Sequence, residues 1–284
     1  MPPTAVLFLT HQWDETKRRR LSRLQAEIGG QADVYLLAQK SAAIKDALGK
    51  YAPPTDHTVL FDAPKLPRQL GYPFAFSNAL CPGSAHFTLL ALSQKRKYSH
   101  YFLVEHDVEF SGDWGNLLQT IVAAGPDFAT FHVNDYEQRP DWPWWFFRPG
   151  RADRDWAGEK TNLRRSFNPL SCLSHQATEI IHEAHRDGWQ GHYEMLLATV
   201  LTRRGCKVMD MADMGRFCVG REQDMRPHMP NETLSTMRWR PEITKQEFLA
   251  RSTESTVFHP VKAPWYFDGS RIVTIGEESP TLPP

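Results

Sequence analysis

The segment Tyr101-Phe-Leu-Val-Glu105-His106-Asp107-Val-Glu109-Phe110 runs four apolar residues straight into three carboxylates and an imidazole. Carboxylates that close together resist joint ionisation unless a cation lies between them, and burying such charge is costly without compensation. Mn2+ and Mg2+ accept oxygen ligands and leave positions open for substrate phosphates. In extended geometry alternate residues share a face, so Glu105, Asp107 and Glu109 could point one way and His106 the other. The expectation is a divalent-cation site for a phosphorylated ligand, with Glu105 and Asp107 as its first ligands. The bland alternative is a solvated strand end whose acids cap the helix beginning near Trp114.

The elements that must position this cluster follow from hydrophobic periodicity. Short apolar runs at 5–9, 34–37, 59–61, 101–104, 128–133 and 207–211 predict strands. Helical patterns at 15–28, 42–48, 85–93, 114–124, 176–186 and 191–204 separate most of them, the last with Tyr193, Leu196, Leu197, Val200 and Leu201 as a core stripe. Strands alternating with helices imply βαβ units and a mostly parallel sheet. In such sheets ligands sit beyond the carboxyl ends of the strands, where the acidic cluster emerges. The predicted fold class is therefore α/β.

Between 134 and 168 the rhythm breaks. This stretch carries Trp142, Trp144, Trp145 and Trp156 of the nine tryptophans, interleaved with Arg139, Arg148 and Arg151. A long irregular loop in a compact domain usually carries function. Aromatic faces stack on sugar rings at little entropic cost, so Trp142, Trp144 and Trp145 are expected to bind a glycan. A structural clamp or a protein-docking patch is the competing reading.

Composition narrows the classes further. Lys plus Arg equals Asp plus Glu at 33 each in 284 residues, which gives no field for wholesale binding to nucleic acid or anionic membranes. Cys81, Cys172, Cys206 and Cys218 are widely spaced, suiting reduced thiols in a cytoplasmic setting. No signal-peptide pattern and no run of transmembrane length is present. His182 and His185 lack the spacing of a helical zinc motif, and no Gly-rich phosphate loop or nucleophile elbow occurs. The twelve histidines fall mostly singly on polar stretches and predict no histidine cluster; 224–228 reads as a polar loop.

An apolar strand ending in Glu105-His106-Asp107, midway through a βαβ sheet, resembles the GT-A fold of nucleotide-sugar glycosyltransferases. His106 stands where the commoner middle acid would be, and Asp107-Val108-Glu109 offers a second frame. The resemblance implies a Rossmann-like, mostly parallel central sheet flanked by helices, in a single domain with a long acceptor-side loop. It implies a domain over 1–262, with 1–133 binding the nucleotide sugar and 134–262 facing the acceptor, followed by a frayed tail at 263–284. It implies Mn2+ or Mg2+ held by Glu105, Asp107 and a late histidine, His259, with Lys262 meeting a phosphate. Thr10, His11 and Asp62 would contact the nucleotide, and Glu194, in the first turn of a helix, would serve as catalytic base. The implied donor is a UDP-sugar. The implied acceptor is a glycan or glycolipid, met by peripheral association where it is membrane-bound. A nucleotidyltransferase or sugar-nucleotide hydrolase is the nearest rival enzyme, and a glycan-binding module without catalysis is the rival outside enzymology.

Overall fold

A computed structural model describes residues 4–75, 83–156, 160–214, 217–220, 234–252 and 255–276. Cys81, the 224–228 loop and the side chain of Trp156 fall outside these residues. The first half alternates strand and helix: β1 (Thr4–Thr10), α1 (Glu15–Ile28), β2 (Ala32–Gln39), α2 (Ala42–Lys50) and β3 (Thr58–Phe61). Two helices, α3 (Leu66–Gln69) and α4 (His86–Ser93), lead to β4 (His100–Glu105) and the short β5 (Glu109–Phe110). Then come α5 (Trp114–Ala124), β6 (Phe128–Asp135), β7 (Phe147–Arg148), β8 (Arg164–Ser174), α6 (His175–Asp187), β9 (Gln190–Gly191) and α7 (Tyr193–Arg203). The chain closes with β10 (Val208–Asp210), α8 (Lys245–Arg251), β11 (Val257–Phe258), β12 (Trp265–Phe267) and β13 (Ile272–Thr274).

Seven strands form one sheet in the order β10-β6-β8-β4-β1-β2-β3. Every pairing in it is parallel except those of β8, which runs antiparallel between β4 and β6. The expected mostly parallel sheet flanked by helices is thus the observed architecture, of α/β class. β1 is buried along its whole length, as a strand covered on both faces must be. Ala5, Leu7 and Leu9 pack beneath α4, α6 and α7, while Val6 and Phe8 pack against α1 and α5.

Local chemistry sets the helix limits. Asp14 accepts from the Lys17 amide at 3.0 Å and opens α1. Asp113 does the same for α5 through Asn116, and Gly125 ends that helix in the left-handed region at φ 60°. Such caps satisfy amides and carbonyls that the helix itself leaves open.

Two stretches depart from expectation. β8 spans eleven residues where the sequence shows no clean alternation, and it contains Pro169, which ordinarily argues against a central strand. The proline is tolerated because the β6–β8 register shifts around Phe131. The Thr130 hydroxyl fills that gap, 2.7 Å from the Phe167 carbonyl and 2.8 Å from Asn168 Oδ1. Beyond 262 the expected frayed tail is, as far as Gly276, a hairpin of β12 and β13. Its Trp265 is buried with Ile243, Phe248, Phe258 and Val261, because that apolar set has nowhere else to leave water.

Candidate active site

Parallel pairing brings the carboxyl ends of β1, β2, β3 and β4 to one edge, with Leu9 opposite Glu105 and Gln39 opposite Phe61. The chain turns after Glu105, where the His106 amide donates to the Leu9 carbonyl at 3.0 Å. It then enters β5, whose Glu109 pairs with Phe258 of β11. That pairing delivers the next residue, His259, beside Asp107, and the Val261 amide donates to the Asp107 carbonyl at 2.8 Å.

Glu105, Asp107 and His259 each offer a ligand atom, and these atoms all lie within 4.8 Å of one another. His259 Nε2 is 3.4 Å from Asp107 Oδ1 and 3.8 Å from Glu105 Oε2. His259 Nδ1 lies 2.8 Å from the Arg238 carbonyl. A carbonyl only accepts, so Nδ1 carries the proton and Nε2 faces the carboxylates, the orientation that outer partners give metal-binding histidines. Asp107 Oδ1 is buried with no hydrogen-bond partner, a costly state for a carboxylate oxygen unless a cation approaches it. Two carboxylates and one imidazole suit Mn2+ or Mg2+, so the residues present fit the group.

Glu109 does not join them. It lies 2.5 Å from Arg20 Nε and 3.8 Å from Arg23, both on α1. Arg20 also donates to the carbonyls of His106, Val261 and Trp265 at 2.9, 3.0 and 2.7 Å. This one guanidinium therefore ties together both chain segments that carry the candidate ligands, and the second acidic frame is structural.

The three side chains titrate against one another. Burial and the neighbouring Asp107 charge push the Glu105 carboxyl up to about 7, against the pull of His259, Tyr193 and Lys262. Burial also opposes ionisation of Asp107, but His259, then His106 and Lys262, hold its carboxyl well below the usual range. His259 is raised, because Asp107 and Glu105 outweigh the burial that would lower it.

An open cleft of about 850 Å³ continues from Glu105 and His259 along Phe167 and Pro169 of β8 to the start of α7. Glu194 lines it, in the first turn of α7, where the helix dipole favours a negative charge. His192 caps that helix with Trp144 stacked on its ring at 5.5 Å and Trp142 edge-on at 5.5 Å. Burial drives the His192 imidazole down to about 3, with the Arg165 charge adding to the effect. It stands neutral beside Glu194, 3.6 Å away.

The tryptophan loop divides. Trp142, Trp145, Leu163 and Met195 form one buried set; Trp142 and the partly buried Trp144 also line the cleft, whereas Trp145 does not reach it, its indole donating to the Arg139 carbonyl at 2.6 Å. Trp145 departs from expectation because its N–H finds an internal acceptor, so the whole ring can be buried. Thr10 is buried and spends its hydroxyl on the Gln12 backbone. His11 is exposed at the edge-on face of His106, 4.8 Å away. Asp62 follows β3 and pairs with Lys65 at 2.9 Å. Lys262 is exposed near the acidic pair, whose titration it lowers.

Several cleft residues escaped the sequence reading. Tyr193, read as core, donates its hydroxyl to Glu105 at 3.4 Å. Arg165 and Phe167 come from the unread strand β8, and Trp239, 56% exposed, stands at the cleft with the Arg240 guanidinium 4.6 Å over its ring. An isolated Trp-Arg pair in a polar stretch is the signal that could have found the last.

No family model matches the chain, and no curated protein matches it. Among solved structures, 227 chains match. One is described as a nucleotide-diphospho-sugar transferase from Desulfovibrio desulfuricans, at 10% identity and TM-score 0.40, covering 74% of this chain and 80% of that one. Another is glucosyl-3-phosphoglycerate synthase from Mycobacterium tuberculosis with Mg2+ and UDP, at 8% identity and TM-score 0.42, covering 84% and 73%. The same enzyme with Mn2+, UDP and phosphoglyceric acid matches at 9% and 0.41, covering 74% and 68%. Similarity of this degree carries no argument, so the fold rests on the strand order itself, a seven-stranded, mostly parallel α/β sheet.

Proposed function

We propose that the protein is a divalent-cation-dependent glycosyltransferase that uses a nucleotide sugar, UDP-linked, and a glycan or glycolipid acceptor. One observation carries the reading: Glu105, Asp107 and His259 converge at the carboxyl edge of the sheet, at the head of a cleft walled by aromatic rings. Glu105, Asp107 and His259 would hold Mn2+ or Mg2+. When bound, such a cation neutralises charge on a departing diphosphate, an effect of several kcal/mol in metal-assisted chemistry.

The chain's own residues do the rest. Thr10, His11 and Asp62 border the nucleotide side, on the same sheet edge as Glu105, and Lys262 brings a positive charge to the phosphates. Trp142 and Trp144 shape the acceptor side, and Tyr193 fixes the orientation of Glu105. Glu194 holds the proton leaving the acceptor hydroxyl if the sugar is transferred with inversion, at a position the neutral His192 does not contest. A cytoplasmic enzyme meeting its acceptor at a membrane face fits the described residues, none of whose helices is long and apolar enough to cross a membrane.

The test is UDP release from a panel of UDP-sugars with Mn2+ present or chelated, alongside Mn2+-induced thermal stabilisation of wild type and Asp107→Asn. At about a hundred times its dissociation constant a ligand stabilises by roughly 2.7 kcal/mol. Wild type should gain that increment and Asp107→Asn should lose it. Equal stabilisation of both would remove Asp107 as a ligand. Donor consumption yielding free sugar whatever acceptor is offered would make the protein a hydrolase.

A further inference from the structure

A second feature lies away from the cleft. The loop 71–74, the segment 148–154 and the C-terminal end of α6 form a shallow basin lined by Arg148, Arg151, Arg154 and Arg186. Against four guanidinium groups the lining offers one carboxylate, Asp187. Asp187 is already engaged: Oδ2 accepts from the Ala152 amide at 2.8 Å, and Oδ1 lies 3.6 Å from Arg151. The neighbouring acid Asp153 is turned inward to Trp189, Arg203 and Arg204. The chain as a whole carries no net charge, so this concentration of positive charge is local.

One exposed aromatic ring lines the basin and a second precedes its first arginine along the chain. Phe74, 37% exposed, carries the Arg148 guanidinium 4.4 Å over its ring, and Phe146, 53% exposed, lies two residues before Arg148. Apolar side chains set among open arginines match the boundary between headgroups and acyl chains, where burial of rings and attraction to anionic lipid add together. A pocket for one discrete phosphate would enclose its arginines. Here all four are exposed, and Arg151 keeps 71% of its side chain in solvent. A duplex nucleic acid would use the charge but leave the rings without a partner.

We propose that this basin is a docking surface for anionic phospholipid headgroups, with Phe74 and Phe146 entering the interface. It lies on the chain segment that continues from the Trp142–Trp144 wall of the cleft, so docking would hold that wall at a lipid surface. The proposal does not require the transferase reading, because its test involves no turnover.

The full chain is sedimented with vesicles of phosphatidylcholine alone and of equal parts phosphatidylcholine and phosphatidylglycerol, at low and high salt. The protein is expected on the anionic vesicles, released by salt, and absent from the neutral ones. Arg148→Glu with Arg186→Glu should lower partition by on the order of tenfold or more. Lys95→Glu with Lys97→Glu, the same charge change on another exposed stretch, should lower it far less. Phe74→Ser with Phe146→Ser should weaken binding while leaving its salt dependence. The proposal is overturned if the two charge-reversal pairs behave alike, if neutral vesicles bind equally, or if inorganic phosphate displaces the protein at an ionic strength at which sodium chloride does not. It is likewise overturned if a DNA duplex is bound more tightly than the anionic vesicles.

Discussion

At the scale of single residues, Glu194 and the acidic cluster carry separable burdens, because the cleft stands between them rather than one shared shell. Glu194→Gln keeps size and cleft shape but removes the acceptor for a hydroxyl proton. Donor affinity by calorimetry should stay near wild type while transfer falls about a hundredfold or more, the usual contribution of a positioned base. Near-normal transfer would remove Glu194 from that role and point to a retaining reaction. The positions of Glu105 and Asp107 were legible in the sequence, since charge next to an apolar strand is conspicuous, whereas Glu194 was singled out by the resemblance. Glu109 looked equivalent to Asp107, and nothing in the local pattern announced that Arg20, almost ninety positions earlier, neutralises it. Tyr193 was misread for the opposite reason: its ring belongs to the core stripe and its hydroxyl to the site. His259 needed the resemblance, because a lone histidine in sequence gives no hint of the β5–β11 pairing that carries it to Asp107.

At the scale of elements, α4 and α6 meet through a contact that the scattered histidines did not foretell. His86 and His185 lie buried with their Nε2 atoms 2.8 Å apart, and His185 Nδ1 lies 3.1 Å from the Trp189 carbonyl. Tyr72 and Tyr193 stack on the pair, His182 and His192 are the nearest other titrating groups, and no carboxylate contributes to either shift. Burial drives His185 down to about 4 and His86 well below its usual value, with the neighbouring imidazoles adding to the effect on His86. Between the unfolded value near 6.5 and the folded values, the unfolded chain binds protons that the folded chain refuses. Stability therefore falls as pH drops through that window, by about 1.4 kcal/mol per unit for each histidine. Urea midpoints from pH 7.5 to 4.5 should decline steeply in wild type and less so in His86→Gln with His185→Gln. An equal decline would place the acid sensitivity elsewhere. Helices and outer strands of the sheet were legible because their periods are strong. β8 was not: Pro169 and the polar Asn168 and Ser171 broke its pattern, and their compensation lies in β6. The loss was functional as well as architectural, since Arg165 and Phe167 reach the cleft from that strand.

At the scale of the whole molecule, the two chain halves are not simply laid side by side. The sheet buries one apolar set on each face, but the candidate cation site is closed by segments from opposite ends of the sequence. Arg20 near the beginning donates to Val261 and Trp265 near the end. The hairpin after 262 then covers α1, with the Arg23 guanidinium 4.9 Å over the Phe267 ring. Composition gave no reason to expect this, because the closing stretch is short and punctuated by prolines. Its anchoring depends on Trp265 meeting Phe248 and Phe258, contacts no local period encodes. A chain ending at Lys262 would open that cluster and strip Arg20 of an acceptor. Removing one such buried aromatic typically costs about 3–5 kcal/mol, against a total of about 5–15 kcal/mol for a native domain. The shortened chain should fold with a markedly lower urea midpoint. It should also bind Mn2+ more weakly, because the Arg20 guanidinium that holds the Val261 segment against His106 loses its Trp265 anchor. Fluorescence of Trp142 and Trp144 should be unchanged below the unfolding transition, since their wall is built from β8 and α7. If midpoint and Mn2+ affinity both match the full chain, the hairpin is an appendage and the two ends do not close the site together.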